Sequence, residues 1–553
     1  MHVTPRIPLS LLGASLALTL GATAAAATPD AGQILQEPRA PRAAPSNSTP
    51  ALNVDGPSAR SVPEGGAQVR LSAVRFSGNT AFSSAALQSL LADAVGKNLT
   101  FAELTRLAER VSRHYREAGY LVARAYLPAQ AVKDGVLDIA VLEGTLGQVV
   151  LGNTAGLGES ALAPLQGLAL NAPVHEQSLD RALLNLADLP GTRVQSTLRP
   201  GAAPGASELL VDVSRERDFQ GGVDLDNYGS LYTGEYRIGT SLYWNNPLDR
   251  GDQLSLRLQA SDARLHYERL AYQLPLGEQA LRVGVAVSNM VYRLGRDLDV
   301  LDAYGSASIA SLYLRRPLLR SPSANSFVQL QFDAKSLRDT VGSTSTTARH
   351  DLRNATLGVS GNWQDNRFGG SNNAVAVNFT VGRLTLDADS HTQDAASAQS
   401  AGEFAKLGYQ LQRLQALQPG WTLALSVSGQ LADKNLASAE KFSLGGSQGV
   451  RAYPQGEASG DAGWLGSVEL RWQAAPGWQF QAFGDAGLVH VNRQPWADTT
   501  ANQRGLAGVG LGLVWGNDKL NLTLSAAWPT DHESPPPDPQ RKPRVWAQLS
   551  AGF

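Results

Sequence analysis

The chain has no cysteine among its 553 residues, so a disulfide framework, a thiolate metal site and a cysteine nucleophile are all excluded. Charge of either sign is not in excess. Lys and Arg number 47 against 49 Asp and Glu, for a formal net charge of -2, and no overall basic balance points to nucleic acid. Beyond the N-terminus there is no run of about 18 apolar residues, so no helix is expected to span a membrane. The eight histidines show no H-E-x-x-H or other metal spacing, and no P-loop is present. No catalytic, metal-binding or cofactor-binding residue is therefore assigned. Gly445-Gly446-Ser447-Gln448-Gly449 matches the nucleophile-elbow pattern. That motif requires a sharp strand-to-helix turn, and here no helical pattern follows.

Glycine is abundant at 55 residues, and Trp and Tyr together number 24, which suits aromatic girdles at two membrane interfaces. Mean hydropathy is -0.18, too low for a helical membrane bundle but ordinary for a barrel, whose strands face lipid only at every second residue. His2 and Arg6, an apolar stretch from Ile7 to about Leu20 and the small residues Ala25-Ala26-Ala27 read as a secretory signal over residues 1–27. Residues 28–37 include a short helical segment. Pro38, Pro41, Pro45, Pro50, Pro57 and Pro63 then punctuate residues 38–67, the composition of an extended, poorly ordered linker.

Residues 68–144 read as a compact α+β unit. A strand is expected from Val69 to Phe76 and a short helix from Ala85 to Ala94. Thr100 and Glu103 form a capping box, and Leu104, Leu107, Ala108, Val111 and Tyr115 put one apolar face on the helix that follows. Gly119 ends it. Strands are expected at Tyr120–Tyr126 and around Leu137, Ile139 and Val141. Residues 145–215 repeat the order strand, helix, helix, strand, strand, with a period of roughly 75 residues.

From residue 216 to 553 helical periodicity gives way to segments of about 9–12 residues that alternate apolar with small or polar side chains. Leu254, Leu256 and Leu258 alternate with Ser255, Arg257 and Gln259, and Leu520, Leu522 and Leu524 with Asn521, Thr523 and Ser525. Roughly 16 such segments are expected, an even number that allows the sheet to close. Closure is obligatory in lipid, where every backbone N–H and C=O must be paired. The predicted fold is two α+β units followed by a 16-stranded antiparallel transmembrane β-barrel. The last strand ends on Phe553, with Ala551, Leu549, Ala547 and Val545 on one face. A terminal aromatic on such a strand is similar to the signal that directs outer-membrane barrels to the barrel-assembly machinery.

Three motifs carry a family resemblance that extends over nearly the whole mature chain. Asp226-Asn227-Tyr228-Gly229 followed by Thr233-Gly234-Glu235-Tyr236-Arg237 resembles the first barrel hairpin of the TpsB transporters of two-partner secretion, the ShlB/FhaC/HecB family within the BamA-like superfamily. Val450-Arg451-Ala452-Tyr453 resembles the Val-Arg-Gly-Tyr tip of that family's sixth extracellular loop. Phe483-Gly484-Asp485-Ala486-Gly487 resembles its Phe-x-Asp-x-Gly strand. Ala452 departs from the usual Gly, which would cost about 1 kcal/mol if the position needs positive φ. In Trp478–Leu488 the even positions suit lipid, so Asp485 should face the lumen.

The resemblance implies that Arg451 of a folded-in loop meets Asp485. The alternative is that channel water solvates each. It further implies that 68–144 and 145–215 are periplasmic POTRA domains, that the helix near 29–37 plugs the resting pore, and that the partner is a secreted TpsA-like exoprotein of adhesin, haemolysin or toxin type. Outer-membrane lipid is the surrounding partner. An assembly or insertion factor of the same superfamily is the alternative function, although such factors usually carry more POTRA units. A passive porin would need none.

Overall fold

A computed structural model of the chain describes residues 29–36, 52–54, 67–496, 501–530 and 541–553. The signal expected over 1–27 and Pro535-Pro536-Pro537 lie outside the described residues. So does most of the linker. Among the described residues no helix is long and apolar enough to cross a membrane.

The chain begins with α1 (Ala31–Ile34), a single turn, shorter than the segment expected. Next comes β1 (Leu52–Val54), a strand inside the region read as an unstructured linker. The first α+β unit holds β2 (Gln68–Arg70), β3 (Ala73–Ser77), α2 (Ser84–Leu90), β4 (Asn98–Thr100), α3 (Phe101–Glu117), β5 (Arg124–Tyr126) and β6 (Val136–Leu142). The capping box of α3 forms: the Thr100 N–H donates to Glu103 Oε2 at 2.7 Å and the Glu103 N–H to Thr100 Oγ1 at 3.3 Å. Its apolar stripe packs on Leu137, Ile139 and Val141. The strand expected from Val69 to Phe76 is broken at Leu71-Ser72, because the Ser72 N–H turns to the Gly135 carbonyl and the two halves join different sheets.

The second unit holds β7 (Thr145–Asn153), α4 (Glu159–Gln166), α5 (Glu176–Ala187), β8 (Thr192–Pro200) and β9 (Ala206–Arg215). It repeats the first. β3 runs parallel to β6 as β7 does to β9, and β5 runs antiparallel to β6 as β8 does to β9. The difference is at one edge. β1 adds in parallel to β8, pairing Leu52 with Ser196 and Val54 with Leu198.

Sixteen strands then close into a barrel. They are β10 (Phe219–Asp226), β11 (Arg237–Asn245), β12 (Gln253–Ser261), β13 (Leu265–Leu276), β14 (Leu281–Arg293), β15 (Ala303–Arg320), β16 (Ala324–Val341), β17 (Thr346–Asp365), β18 (Ser371–Leu386), β19 (Gly402–Gln418) and β20 (Trp421–Ala432). After a hairpin of β21 (Phe442–Ser443) and β22 (Ser459–Gly460) come β23 (Ala462–Ala475), β24 (Trp478–His490), β25 (Gln503–Gly516), β26 (Leu520–Pro529) and β27 (Arg544–Gly552). All barrel neighbours are antiparallel, and β10 closes on β27 from Gly222↔Gly552 to Asp226↔Gln548.

Outward rows such as Val285, Val287, Leu411, Leu431 and Leu511 are exposed apolar side chains, as a lipid-facing wall requires. At the end nearest the α+β units, Phe219 stacks on Trp244, Trp421 on Trp472, and Trp478 lies beside Trp515. Tyr236, Tyr304, Trp464 and Trp528 are exposed toward the other end. These are the two girdles. The second α+β unit is fastened to the near end. Arg320 pairs with Asp188 at 2.7 Å, and the Gly158 N–H donates to the Asp249 carbonyl at 2.7 Å.

Glu143, which follows β6, is buried and ties the first unit together. It accepts from the Thr80 N–H at 2.6 Å, the Ala81 N–H at 2.7 Å and the Tyr115 hydroxyl at 2.9 Å. Burial pushes its carboxyl up, but these donors outweigh it and hold the group below its ordinary 4.5. Its stabilising contribution is therefore complete above pH 4.5 and lost as pH falls through the depressed value. Glu143→Ala leaves the buried Tyr115 hydroxyl and two main-chain N–H groups without their acceptor and should cost about 3 kcal/mol. Pulse proteolysis of the first unit in urea should show the loss, and the gap between variant and wild type should narrow in acid.

Candidate functional site

Residues 433–461, between β20 and β23, turn back into the barrel. The β21–β22 hairpin pairs Phe442 with Gly460 and Ser443 with Ser459 and sends the tip down the lumen. The tip is a tight turn in which the Val450 N–H donates to the Leu444 carbonyl at 2.7 Å and the Tyr453 N–H to the Val450 carbonyl at 3.1 Å. Gly446 lies at φ +115, where side chains are strained. Leu444 and Val450 bury against Val489 and Leu506 of the wall. Ser447 of the elbow-like motif sits in this turn, not between a strand and a helix.

Arg451 is the most heavily engaged residue of the tip. Its Nε donates to Asp485 Oδ2 at 2.8 Å and its Nη2 to Oδ1 at 2.7 Å, a bidentate fork. Its Nη1 donates to Glu469 Oε1 at 2.8 Å. Ser467 Oγ donates to Asp485 Oδ1 at 2.7 Å and accepts from Arg451 Nη2 at 3.2 Å. The guanidinium lies 3.4 Å from the Phe483 ring centroid, a cation–π contact. The main chain is held too, since Trp546 Nε1 donates to the Arg451 carbonyl at 2.7 Å. Arg451 and Asp485 are 9% and 3% exposed, so the pair is desolvated and neither partner is left to channel water.

The register explains the spacing of the strand motif. Phe483, Asp485 and Gly487 all face inward on β24. Phe483 lies beneath Arg451, Asp485 takes its charge, and at Gly487 a Cβ would come within 2.6 Å of Leu444 Cδ2. Ala452 has no positive φ, so the strain considered for a non-glycine residue there does not arise. Its methyl instead occupies space left by Gly508, where a Cβ would lie 2.6 Å from the Ala452 Cβ. The inward Gly510 likewise makes room for the Phe483 ring.

The first hairpin joins the same network. Arg237 Nε donates to Asp226 Oδ1 at 2.8 Å, both side chains being buried. Asn227 reaches across the barrel seam: its Nδ2 donates to the Val545 carbonyl at 2.9 Å, and its Oδ1 accepts from the Ala547 N–H at 2.8 Å. Gly229 allows the chain to cross the Gly234 carbonyl, which a Cβ would meet at 1.9 Å. Gly234 has φ +111, and Thr233 is fully buried. Tyr228 packs edge-on against Trp546 at 5.8 Å, linking the hairpin to the loop tip. Phe553 is exposed on the outer face and exchanges main-chain hydrogen bonds with Gly221.

The α1 turn sits inside the lumen against the base of the same loop. Asp30 caps it, and the Ala31 N–H donates to Asp339 Oδ1 at 2.8 Å. Ile34 is buried among Leu337, Leu352, Leu384 and Phe404. A Cβ on Gly32 would lie 2.2 Å from Ser438 Oγ, and Gln36 donates to the Ser438 and Lys441 carbonyls, each at 3.1 Å. Next to this contact Glu440 is clamped by Lys335 at 2.6 Å and Lys406 at 2.8 Å. Sequence reasoning missed Glu469, Ser467, Trp546, Asp339 and Glu440. The first two were within reach, because β23 alternates Leu465, Ser467, Glu469 and Arg471 with Trp464, Gly466, Val468 and Leu470.

A family model described as haemolysin secretion/activation protein ShlB/FhaC/HecB matches residues 205–515. The chain belongs to that family. A ShlB-type POTRA model matches residues 69–144. The heme/hemopexin transporter protein HuxB of Haemophilus influenzae (strain 86-028NP) is 28% identical over 479 residues, 84% of each chain. The outer membrane transporter CdiB of Dickeya dadantii (strain 3937) is 26% identical over 481 residues, 83% of this chain and 82% of its own. The solved structure of CdiB from Escherichia coli superposes with a TM-score of 0.71 at 20% identity, covering 90% of this chain and 93% of that one, and shows the fold. As a member of this family, the protein is a TpsB-type outer-membrane transporter of two-partner secretion, its POTRA region in the periplasm and its barrel in the membrane.

Arg451→Ala removes one member of a buried pair, a loss of about 3–5 kcal/mol. Export should fall sharply while the barrel still inserts, as read by partner protein in the medium and by heat-modifiable migration of the barrel. Gly508→Ala should displace the tip and lower export. Adding Ala452→Gly should restore part of it, because the methyl that clashes is then gone.

Proposed function

We propose that this transporter captures an unfolded secreted exoprotein by strand addition at its periplasmic units and passes it outward when α1 leaves the lumen. The observation that carries the reading is the path of the N-terminal segment. At Gln36 the chain is in the lumen, bonded to the inward loop, and by Leu52 it has returned to the edge of β8 in the second unit. One short stretch thus connects the element that fills the pore to the edge that accepts strands.

Strand addition uses main-chain hydrogen bonds and tolerates varied sequence, which suits a long extended cargo. The edge of β8 demonstrably takes a parallel strand. Among the described residues the equivalent edge of β5 carries none. Cargo that displaced β1 from β8 would remove one of the two holds on the N-terminal segment and favour release of α1. Because α1 rests on Ser438 and Lys441, its departure would also unload the base of the inward loop. Folding of the exoprotein outside the cell supplies the drive in this scheme. The cargo class is that of the family, an adhesin, haemolysin or toxin delivered with an N-terminal secretion domain.

The cysteine-free chain permits a clean test. Gln36→Cys with Lys441→Cys, joined by a short reducible cross-linker, should block export of the exoprotein, and reduction should restore it. Unimpaired export through the cross-linked protein would rule out exit of α1. Deleting the transporter should abolish surface delivery of its exoprotein, and unchanged delivery would refute the export role.

A further inference from the structure

The outer wall of the barrel carries a cluster of exposed arginines, none of them in ion-pair contact among the described residues. On β16, β17 and β18 the lipid-facing positions include Phe332, Leu357, Val359, Phe379 and Val381, all exposed. Moving away from the periplasm, the same rows reach Arg338, Arg349, Arg353 and Arg383, also exposed. The register sets Arg338 directly across from Arg349, and Arg353 directly across from Arg383. Like charges directly opposite one another on a sheet face are destabilising. Among the described residues none of these four guanidinium groups forms an ion pair or a side-chain hydrogen bond. Carboxylates share the stretch, Asp351 and, across from Arg383, Glu403, with Glu268 and Asp433 farther along the same wall, and none of them is in ion-pair contact with an arginine. Asp387 accepts from the Arg349 and Ser390 main-chain N–H groups.

The height of the cluster is informative. From Arg353 to Trp363 along β17, about 3.3 Å per residue at a tilt of about 40° gives roughly 25 Å, the height of the apolar band of an outer-membrane barrel. Trp363 belongs to the periplasmic girdle, so Arg353 and Arg383 stand at the headgroup level of the outer leaflet. Arg338 and Arg349 stand just above. The wall is also grooved here. Small residues Ser308, Ala310, Ala334 and Ser336 leave a space of ≈ 920 Å³ that reaches Arg353 and Arg383. A second groove of ≈ 950 Å³ starts at the same two arginines and runs along Leu312, Phe332, Ala355 and Val381 into the apolar band.

We propose that this face binds a phosphorylated glycolipid of the outer leaflet. Its phosphates would sit between the paired arginines, and its acyl chains would lie in the apolar groove. Arginine suits the task because its planar fork meets phosphate oxygens bidentately, and an anion between two guanidinium groups turns a repulsive cross-strand pair into an attractive set. The apolar groove below the arginines favours a lipid over a free anion.

Binding would be measured on the purified full-length transporter in detergent, with lipid A, the same lipid stripped of its phosphates, and inorganic phosphate as competitor. The wild-type protein should bind lipid A at least about tenfold tighter than the stripped lipid, and millimolar inorganic phosphate should not displace it. Arg353→Gln with Arg383→Gln should abolish the preference, while Arg353→Lys with Arg383→Lys keeps part of it, separating charge from folding. Equal binding of both lipids by wild type would overturn the proposal. So would full displacement by inorganic phosphate, which would mark an anion site with no claim on lipid.

Discussion

The constraint on which this molecule depends is the closure of its hydrogen-bond ladder. In hydrocarbon an unpaired backbone group costs several kcal/mol, so the first and last barrel strands must find each other although they lie at opposite ends of the barrel region. They meet at Gly222–Asp226 and Gln548–Gly552. The seam is reinforced by groups outside the ladder. Asn227 bonds to two main-chain groups of β27, the Val545 carbonyl and the Ala547 N–H. Trp546 packs on Tyr228 and donates to the Arg451 carbonyl. The tip of the inward loop is thus held to the closing seam as well as to the nearby wall of β23 and β24.

This arrangement gives the buried arginine a structural logic. A guanidinium in a narrow lumen needs its charge matched and its donors used. Asp485, Glu469, Ser467 and the Phe483 ring do both, and the inward glycines of β24 and β25 give the loop room to approach. The base of the same loop supports the α1 turn and the Gln36 that follows it through Ser438 and Lys441, beside the clamped Glu440. Pore filling, loop position and seam closure therefore form one connected set of contacts. The second α+β unit is fastened to the periplasmic rim and carries β1 on its edge, which ties the N-terminal segment to that unit as well as to the lumen.

Much of this was legible in the residues because periodicity is a local property. The capping box at Thr100 and Glu103, the stripe from Leu104 to Tyr115, and the alternation along β12, β24 and β26 required no knowledge of the fold. The inward orientation of Asp485 followed from parity alone. The misreadings have equally physical causes. Val69–Phe76 has uninterrupted strand propensity, and only a long-range acceptor, the Gly135 carbonyl, breaks it at Ser72. Leu52–Val54 sits in a proline-rich stretch and is a strand because β8 offers it an edge.

By itself the sequence determined the class of the molecule: two α+β units and an even, alternating set of strands that lipid obliges to close. It also determined which side chains point inward, because side-chain direction in a strand has a period of two. Tertiary structure alone decided which inward groups meet. The fork of Arg451 on Asp485, the second carboxylate at Glu469, the Trp546 donor and the space that Gly508 leaves for Ala452 join residues far apart in the chain. Their contact depends on shear and loop path, which no local pattern encodes.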